Sequence, residues 1–333
     1  MKKNFIIVLL VIITISGAFY GCQEIDIPNN APEVTDSARA INICSFNIQF
    51  LGHYKKRDNH ALADMLKDFD IVVVQEMVAP PVDGTYPDNT NYSADVESMA
   101  FVDQMVTNGF DYKLSEEDTG PNDEIHTQSS ATEWFITFYK EESVDYVDDL
   151  PNGFLADDRS NNPDYERVPY AFPFRVDNTD TDFVLISVHL APNKSEADRR
   201  KHELNSIGTW IANNSQTEDD FIIVGDMNIE DADELSSALP TGFISLNDEC
   251  YRTNTLINND PDQGAKPYDH VMYKPADTSE EIDEEYDLVV LDLIDMMEEY
   301  WTSSEPYPGD PYDHNLFKQY YSDHHPIVFR INY

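Results

Sequence analysis

Short apolar runs that each deliver a polar side chain recur along this chain, and they restrict its fold more than any other feature. INICSFNIQF (41–50) carries Asn47; DIVVVQ (70–75) runs into Glu76; EWFITFYK (133–140) opens on Glu133; FVLISVH (183–189) closes on His189. FIIV (221–224) runs into Gly225-Asp226-Met227-Asn228, Tyr268-Asp269-His270 opens a VMY run, and Ser322-Asp323-His324 precedes IVFRI. Runs this short and this rich in β-branched residues are buried strands. Polar groups at their ends ride on packed backbone, the arrangement a rigid polar site needs.

The intervening segments predict helices over 59–67, from Ser93 to about Asn108 with Gly109 as stop signal, and from Ser195, where Asp198 completes a capping-box pattern. Residues 78–92 and 141–165 read as loops, and 276–286 and 303–313 as insertions. Several strands follow one another with no helix between them. That pattern fits an α/β fold of two packed sheets flanked by helices better than one doubly wound sheet. With 333 residues and 41% hydrophobic content the chain can bury one large core.

The formal net charge is -43, which repels nucleic acid and anionic membrane at long range. A phosphate-bearing substrate therefore needs local positive charge or a metal. Three cysteines are too few for a disulfide framework. Cys44 and Cys250 read as core thiols, with a bridge between them as the alternative. The N-terminus, MKKNFIIVLLVIITISGAFYGCQ, resembles a bacterial lipoprotein signal peptide over residues 1–22, with Cys22 as the lipidated residue. Ordinary secretion or a retained anchor are the alternatives. Residues 23–40 read as a flexible tether, and 41–333 as one domain.

Taken singly, an Asp or Glu at a strand end is more often a turn or cap than a catalyst. Taken in order, FNIQ, VVQE, SVHLAP, GDMN, YDH and SDHHP resemble the endonuclease/exonuclease/phosphatase family. The family includes secreted deoxyribonucleases, abasic-site endonucleases, inositol-polyphosphate phosphatases and bacterial sphingomyelinases. The resemblance covers about residues 41 to 331 and implies a four-layer α/β sandwich with two mostly antiparallel sheets.

It also implies roles. His324, rather than His325, is the catalytic imidazole, oriented by Asp269. Glu76 is the principal Mg²⁺ ligand, with Asn47 and Asp323 at the metal site and Mn²⁺ or Ca²⁺ as alternative ions. Asp226 positions or deprotonates the attacking water, and Asn228 donates to the phosphate. His189 is a second catalytic or phosphate-binding histidine, paired with Glu133. Arg167, in RVPYAFPF, matches an arginine that contacts substrate phosphate. These site groups are expected to be exposed and to add little to the core.

Two positions depart from the deoxyribonuclease pattern. Val78 stands where a groove-contacting arginine is found, and Ala131 where a groove-contacting tyrosine is found. The basic cluster of Lys194, Arg199, Arg200 and Lys201 reads as a solvated helix face. The first expectation is an exported, metal-dependent nuclease anchored in the membrane through Cys22. The second is a phosphatase or phosphodiesterase on a small or lipid phosphate. The third is an inactive binding protein on the same fold. The oligomeric state is not encoded in any of these motifs.

Overall fold

The computed structural model describes residues 40–53, 56–86, 89–120, 132–158, 162–258, 264–278 and 280–333. The signal-peptide segment, most of the tether, Cys22 and Ala131 lie outside the described residues. Two sheets dominate. The first has the order Val289–Val290, Ile327–Asn332, Ala40–Leu51, Ile71–Met77, Trp134–Tyr139, Asp111–Leu114. The second has the order Ile244–Ser245, Asp269–Tyr273, Phe221–Asp226, Asp182–His189, Tyr170–Val176, Val144–Tyr146, with Gly153–Phe154 also paired to Tyr170–Val176. Each sheet has one parallel pair at its middle, Ala40–Leu51 with Ile71–Met77 and Asp182–His189 with Phe221–Asp226. The other pairings are antiparallel.

The layers follow from strand periodicity, since alternate side chains face opposite sides. Ile41, Ile43, Ile71, Val73 and Phe135 of the first sheet pack face to face with Phe172, Phe174, Leu185, Ile222 and Val224 of the second. The opposite parity, Cys44, Phe46, Val72, Val74 and Trp134, packs outward on helices Asn59–Met65, Val96–Thr107 and His314–Tyr320 through Leu62, Phe101 and Phe317. In the second sheet Val184, Ile186, Phe221 and Ile223 pack on helices Ala197–Asn214 and Ala232–Ala238 through Leu204, Ile207 and Leu235. The result is helix, sheet, sheet, helix, as the resemblance implied. Each large apolar side chain enclosed this way contributes about 1.5–3 kcal/mol of burial.

Following the inward parity to one end of the sandwich leads to the polar residues. Ile41 and Ile43 continue to Asn47, Phe135 steps back to Glu133, and Phe183 and Leu185 continue to His189. Ile222 and Val224 continue to Asp226, and Val271 steps back to Asp269. The registers bring these ends level: Asn47 lies opposite Gln75, His189 opposite Asp226, and Asp226 opposite Asp269.

Several local expectations differ. Asp95, not Ser93, caps Val96–Thr107, accepting from the Glu97 and Ser98 amides. A 3₁₀ turn, Lys194–Glu196, precedes Ala197–Asn214, and Ser195 makes no cap. The 78–92 loop contains a small hairpin, Gly84–Thr85 with Asn91–Tyr92, and 141–165 contains strands Val144–Tyr146 and Gly153–Phe154. Cys44 and Cys250 are buried on the outer faces of different sheets and are not bridged. Among the described residues no helix is long and apolar enough to cross a membrane.

Candidate active site

Asp226 sits at the centre of the polar end, 2% exposed. Its Oδ2 accepts from Asn47 Nδ2 at 2.9 Å and lies 3.6 Å from both His189 Nε2 and His324 Nε2. Its Oδ1 accepts from the Asn228 amide at 2.9 Å. Gly225 makes this approach feasible. Its φ is +137°, and a Cβ there would stand 2.2 Å from the Val188 carbonyl oxygen.

Each imidazole has its own carboxylate behind it. His324 Nδ1 is 2.8 Å from Asp269 Oδ2, and His189 Nδ1 is 3.1 Å from Glu133 Oε1. Burial disfavours the charged His324 ring, but Asp269, Asp226 and Asp323 outweigh it and hold the ring's pKa well above the ordinary range. Burial and Arg167 likewise push His189 down, while Glu133 and Asp226 pull it up, and the net direction is up. Glu133 shows the complementary effect. Burial alone raises its carboxyl, yet His189, Arg167 and the Glu76 amide hold it below the ordinary range. An acid behind a ring nitrogen fixes the tautomer and raises basicity at the other nitrogen.

The 322–325 stretch separates its two histidines sharply. The His324 amide donates to Ser322 Oγ, which itself donates to the Asn47 carbonyl at 2.7 Å. This aims His324 at Asp226. His325 faces away and accepts from the Leu293 amide at 2.9 Å, and burial lowers its pKa to about 3.

On the first sheet, Glu76 has φ +65°, an uncommon backbone for a non-glycine residue that turns the carboxylate out of strand alternation. Its oxygens accept from Asn47 Nδ2 at 2.9 Å and the Phe50 amide at 3.0 Å, and its own amide donates to Glu133 Oε2 at 2.5 Å. Gln49 Nε2 donates to Asp323 Oδ2 at 2.5 Å. Burial and the Asp323 charge push the Glu76 carboxyl up, against His189 and Asn47. Gln49 Oε1 is buried without a hydrogen-bond partner. An all-oxygen set with acids in mutual repulsion and an orphaned acceptor fits a hard cation. Glu76, His189 and Asp226 also offer ligand atoms within 4.8 Å of one another, as do Asp226, Asp269 and His324.

All ten residues expected at the site therefore gather at one end of the sandwich or directly behind it. Three details differ from expectation. Arg167, matched to a phosphate contact, is 2% exposed; its Nε lies 3.5 Å from Glu133 Oε1 and its Nη1 donates to the His189 and Leu190 carbonyls. Asn228 Nδ2 donates to the Leu190 carbonyl at 3.1 Å. The candidate groups are buried rather than exposed: they lie in the seam between two close-packed layers. Two members of the basic cluster are also tied to the protein itself, while Lys194 and Lys201 are exposed. Arg200 is fully buried, with its Nε 2.7 Å from Glu234 and Nη1 on the Ala191 and Asn193 carbonyls, while Arg199 donates to the Asn162 and Pro163 carbonyls.

Sequence reasoning missed two supports. Gln49 shares the parity of Asn47 in FNIQF, which was a usable signal. Glu203 left none: from its helix it accepts from the Glu166 amide at 2.6 Å and the Ala191 amide at 2.9 Å, clamping the segments that carry Arg167 and His189.

Solved structures share this architecture. A mannosyl-6-phosphatase of Bacteroides thetaiotaomicron superimposes with a TM-score of 0.55 at 15% identity, covering 88% of this chain and 100% of the other. D. rerio TDP2 complexed with a single-strand DNA product gives 0.52 at 15%, covering 88% and 99%. A conserved Enterococcus faecalis protein of unknown function gives 0.53 at 15%, covering 87% and 99%. At these identities the likeness is one of fold. No curated protein sequence matches the chain significantly. The family model described as Endonuclease/Exonuclease/phosphatase family matches residues 44–324, spanning every strand end that supplies the site, and the chain belongs to that family.

Proposed function

We propose that this chain hydrolyses phosphodiester bonds in a metal-dependent reaction, with nucleic acid as the first substrate reading. The supporting observation is the convergence of two imidazole–carboxylate pairs on one oxygen, Asp226 Oδ2, each ring nitrogen 3.6 Å away. A diester needs a proton removed from the attacking water and one delivered to the leaving oxygen, and two separately tuned imidazoles beside one carboxylate can serve both ends. Asp226 accepts from water, and Asn47 holds the Asp226 carboxylate in place. His324, backed by Asp269, and His189, backed by Glu133, carry the protons. Arg167 positions Glu133 and the His189 backbone from behind. Asn228 has a second amide hydrogen for a phosphoryl oxygen. Asn47, Glu76 and Asp323 would hold Mg²⁺, Mn²⁺ or Ca²⁺, whose contribution when bound is to neutralise charge on the phosphoryl oxygens.

A phosphatase or phosphodiesterase on a small phosphate ester is the second reading. It is favoured by the commitment of Arg199 and Arg200 to protein carbonyls, which leaves Lys194 and Lys201 as the exposed cations of that cluster, a thin track for a polymer. Export on a Cys22 lipid anchor is part of the proposal and is supported by the pattern of residues 1–22.

The test is a substrate panel on the mature domain with divalent ions and with EDTA. Cleavage of plasmid or RNA but not of small phosphates selects the nuclease, and the reverse selects the second reading. No turnover of any ester by a folded, metal-supplied protein refutes both and leaves a binding protein.

A further inference from the structure

The stretch from Trp301 to Tyr320 takes no part in the proton handling above, yet it is built around aromatic rings. Trp301 meets Tyr307 edge to face at 5.7 Å and Tyr320 at 5.0 Å. With Tyr312, these rings line a cavity of about 840 Å³. Trp301 and Tyr320 also wall a second cavity of about 350 Å³ on the side of Lys56 and Asn59. The four rings are half-buried, so each keeps open surface instead of being sealed into the core.

One wall of the larger cavity is tied to the backbone of the segment that carries Asp323 and His324. Tyr312 Oη lies 2.9 Å from His314 Nδ1, and Thr255 Oγ1 lies 3.4 Å from the same nitrogen. The Thr255 amide donates to the Asp323 carbonyl at 2.8 Å. Helix His314–Tyr320 then runs through Tyr321 and Ser322 directly into Asp323 and His324. The cavity wall and the site are therefore held in fixed relation to one another.

We propose that the cavity walled by Trp301, Tyr307, Tyr312 and Tyr320 binds a neutral sugar ring, the part of the substrate beyond the phosphate. A pyranose has apolar C–H faces and an edge of hydroxyl donors. The aromatic walls meet the faces, and the Glu305 and Asp313 carboxylates in the lining meet the hydroxyls as acceptors. No Lys or Arg lines the cavity, which disfavours a second phosphate there, and Leu316 is the lone aliphatic side chain apart from prolines, which disfavours an acyl chain. The volume is that of a small-molecule site.

The inference rests on the second of the two readings, a phosphoesterase for a small phosphate ester, so binding and turnover are measured separately. Calorimetric titration of the EDTA-treated mature domain with methyl mannopyranoside and methyl glucopyranoside is expected to show saturable binding of at least one. Binding should weaken about tenfold or more in Trp301→Ala and recover largely in Trp301→Phe. In the kinetic arm, Trp301→Ala should raise KM for a hexose phosphate about tenfold more than KM for p-nitrophenyl phosphate. Circular dichroism checks that the variants fold; should Trp301→Ala not fold, Tyr307→Ala takes its place. Absence of sugar binding in the wild type, or binding of thymidine or choline in its place, overturns the inference even where esters are hydrolysed. Sugar binding without hydrolysis of any ester overturns the phosphoesterase reading alone.

Discussion

Asn47 and Asp226 are 179 residues apart in sequence and touch across the sheet interface, Nδ2 to Oδ2 at 2.9 Å. One amide thereby ties the central strand of the first sheet to that of the second at the point where both histidines converge. An Asp226→Asn variant keeps the shape but removes the charge. We predict that its turnover falls at least ~10³-fold. Its melting temperature should fall modestly near neutral pH, because the charge that helps hold protons on both imidazoles is lost. A rate within tenfold of wild type would remove Asp226 from the chemistry.

Glu133→Gln leaves a neutral group behind His189. Glu133 helps raise that ring's pKa, so its loss lets the ring give up its proton at lower pH. The alkaline limb of the kcat profile should move to lower pH, with kcat down about 10–100-fold. An unmoved profile would mean that His189 does not act as an acid.

Glu76→Gln addresses the metal. A cation that binds only the folded state raises the melting temperature with concentration. Mg²⁺ should do so in the wild type, and the rise should shrink and need more metal in Glu76→Gln. Equal titrations for the two proteins would take Glu76 out of the metal site.

His325 predicts a pH dependence of stability. Burial holds it near 3 and likewise holds His270 near 4, against an ordinary value of 6.5. A histidine whose folded pKa is depressed stabilises the fold above 6.5, and that contribution is lost as pH falls from about 6.5 through the folded value. The loss approaches about 1.4 kcal/mol per pH unit for each proton excluded. In urea unfolding between pH 6.5 and 4.5, His325→Gln, which can still accept from Leu293, should show a slope shallower by nearly one proton. Matching slopes would contradict the burial of a neutral ring.

Gly225→Ala should destabilise by at least ~2 kcal/mol, since its Cβ meets the Val188 backbone oxygen, which cannot swing aside. A melting temperature like that of wild type would show that the parallel pair is looser than its register indicates.

Much of this was legible because strand parity is written into the chain. Asn47, His189 and Asp226 each fall on the same alternation as the apolar residues before them, so a packed sandwich had to gather them. What was not legible depended on contacts distant in sequence. Asp95 takes the cap from Ser93 because Asp83 holds the Ala94 amide at 2.8 Å and Pro80 accepts from Asp95's own amide. Arg167 matches a phosphate contact by resemblance, and only the folded neighbourhood of Glu133 and His189 explains its burial. Glu203 is one acid on a polar helix until its two amide partners are known.

The positive φ at Glu76 and Asn228, +65° and +52°, has an evolutionary corollary. Glu76 within its strand and Asn228 just beyond the end of one both hold a left-handed φ, which Asn tolerates and most larger side chains resist. Neutral drift at these two positions is therefore narrowed twice, once by chemistry and once by torsion. A glycine relieves the second constraint and forfeits the first, so variants that recover fold without function should accumulate glycine there.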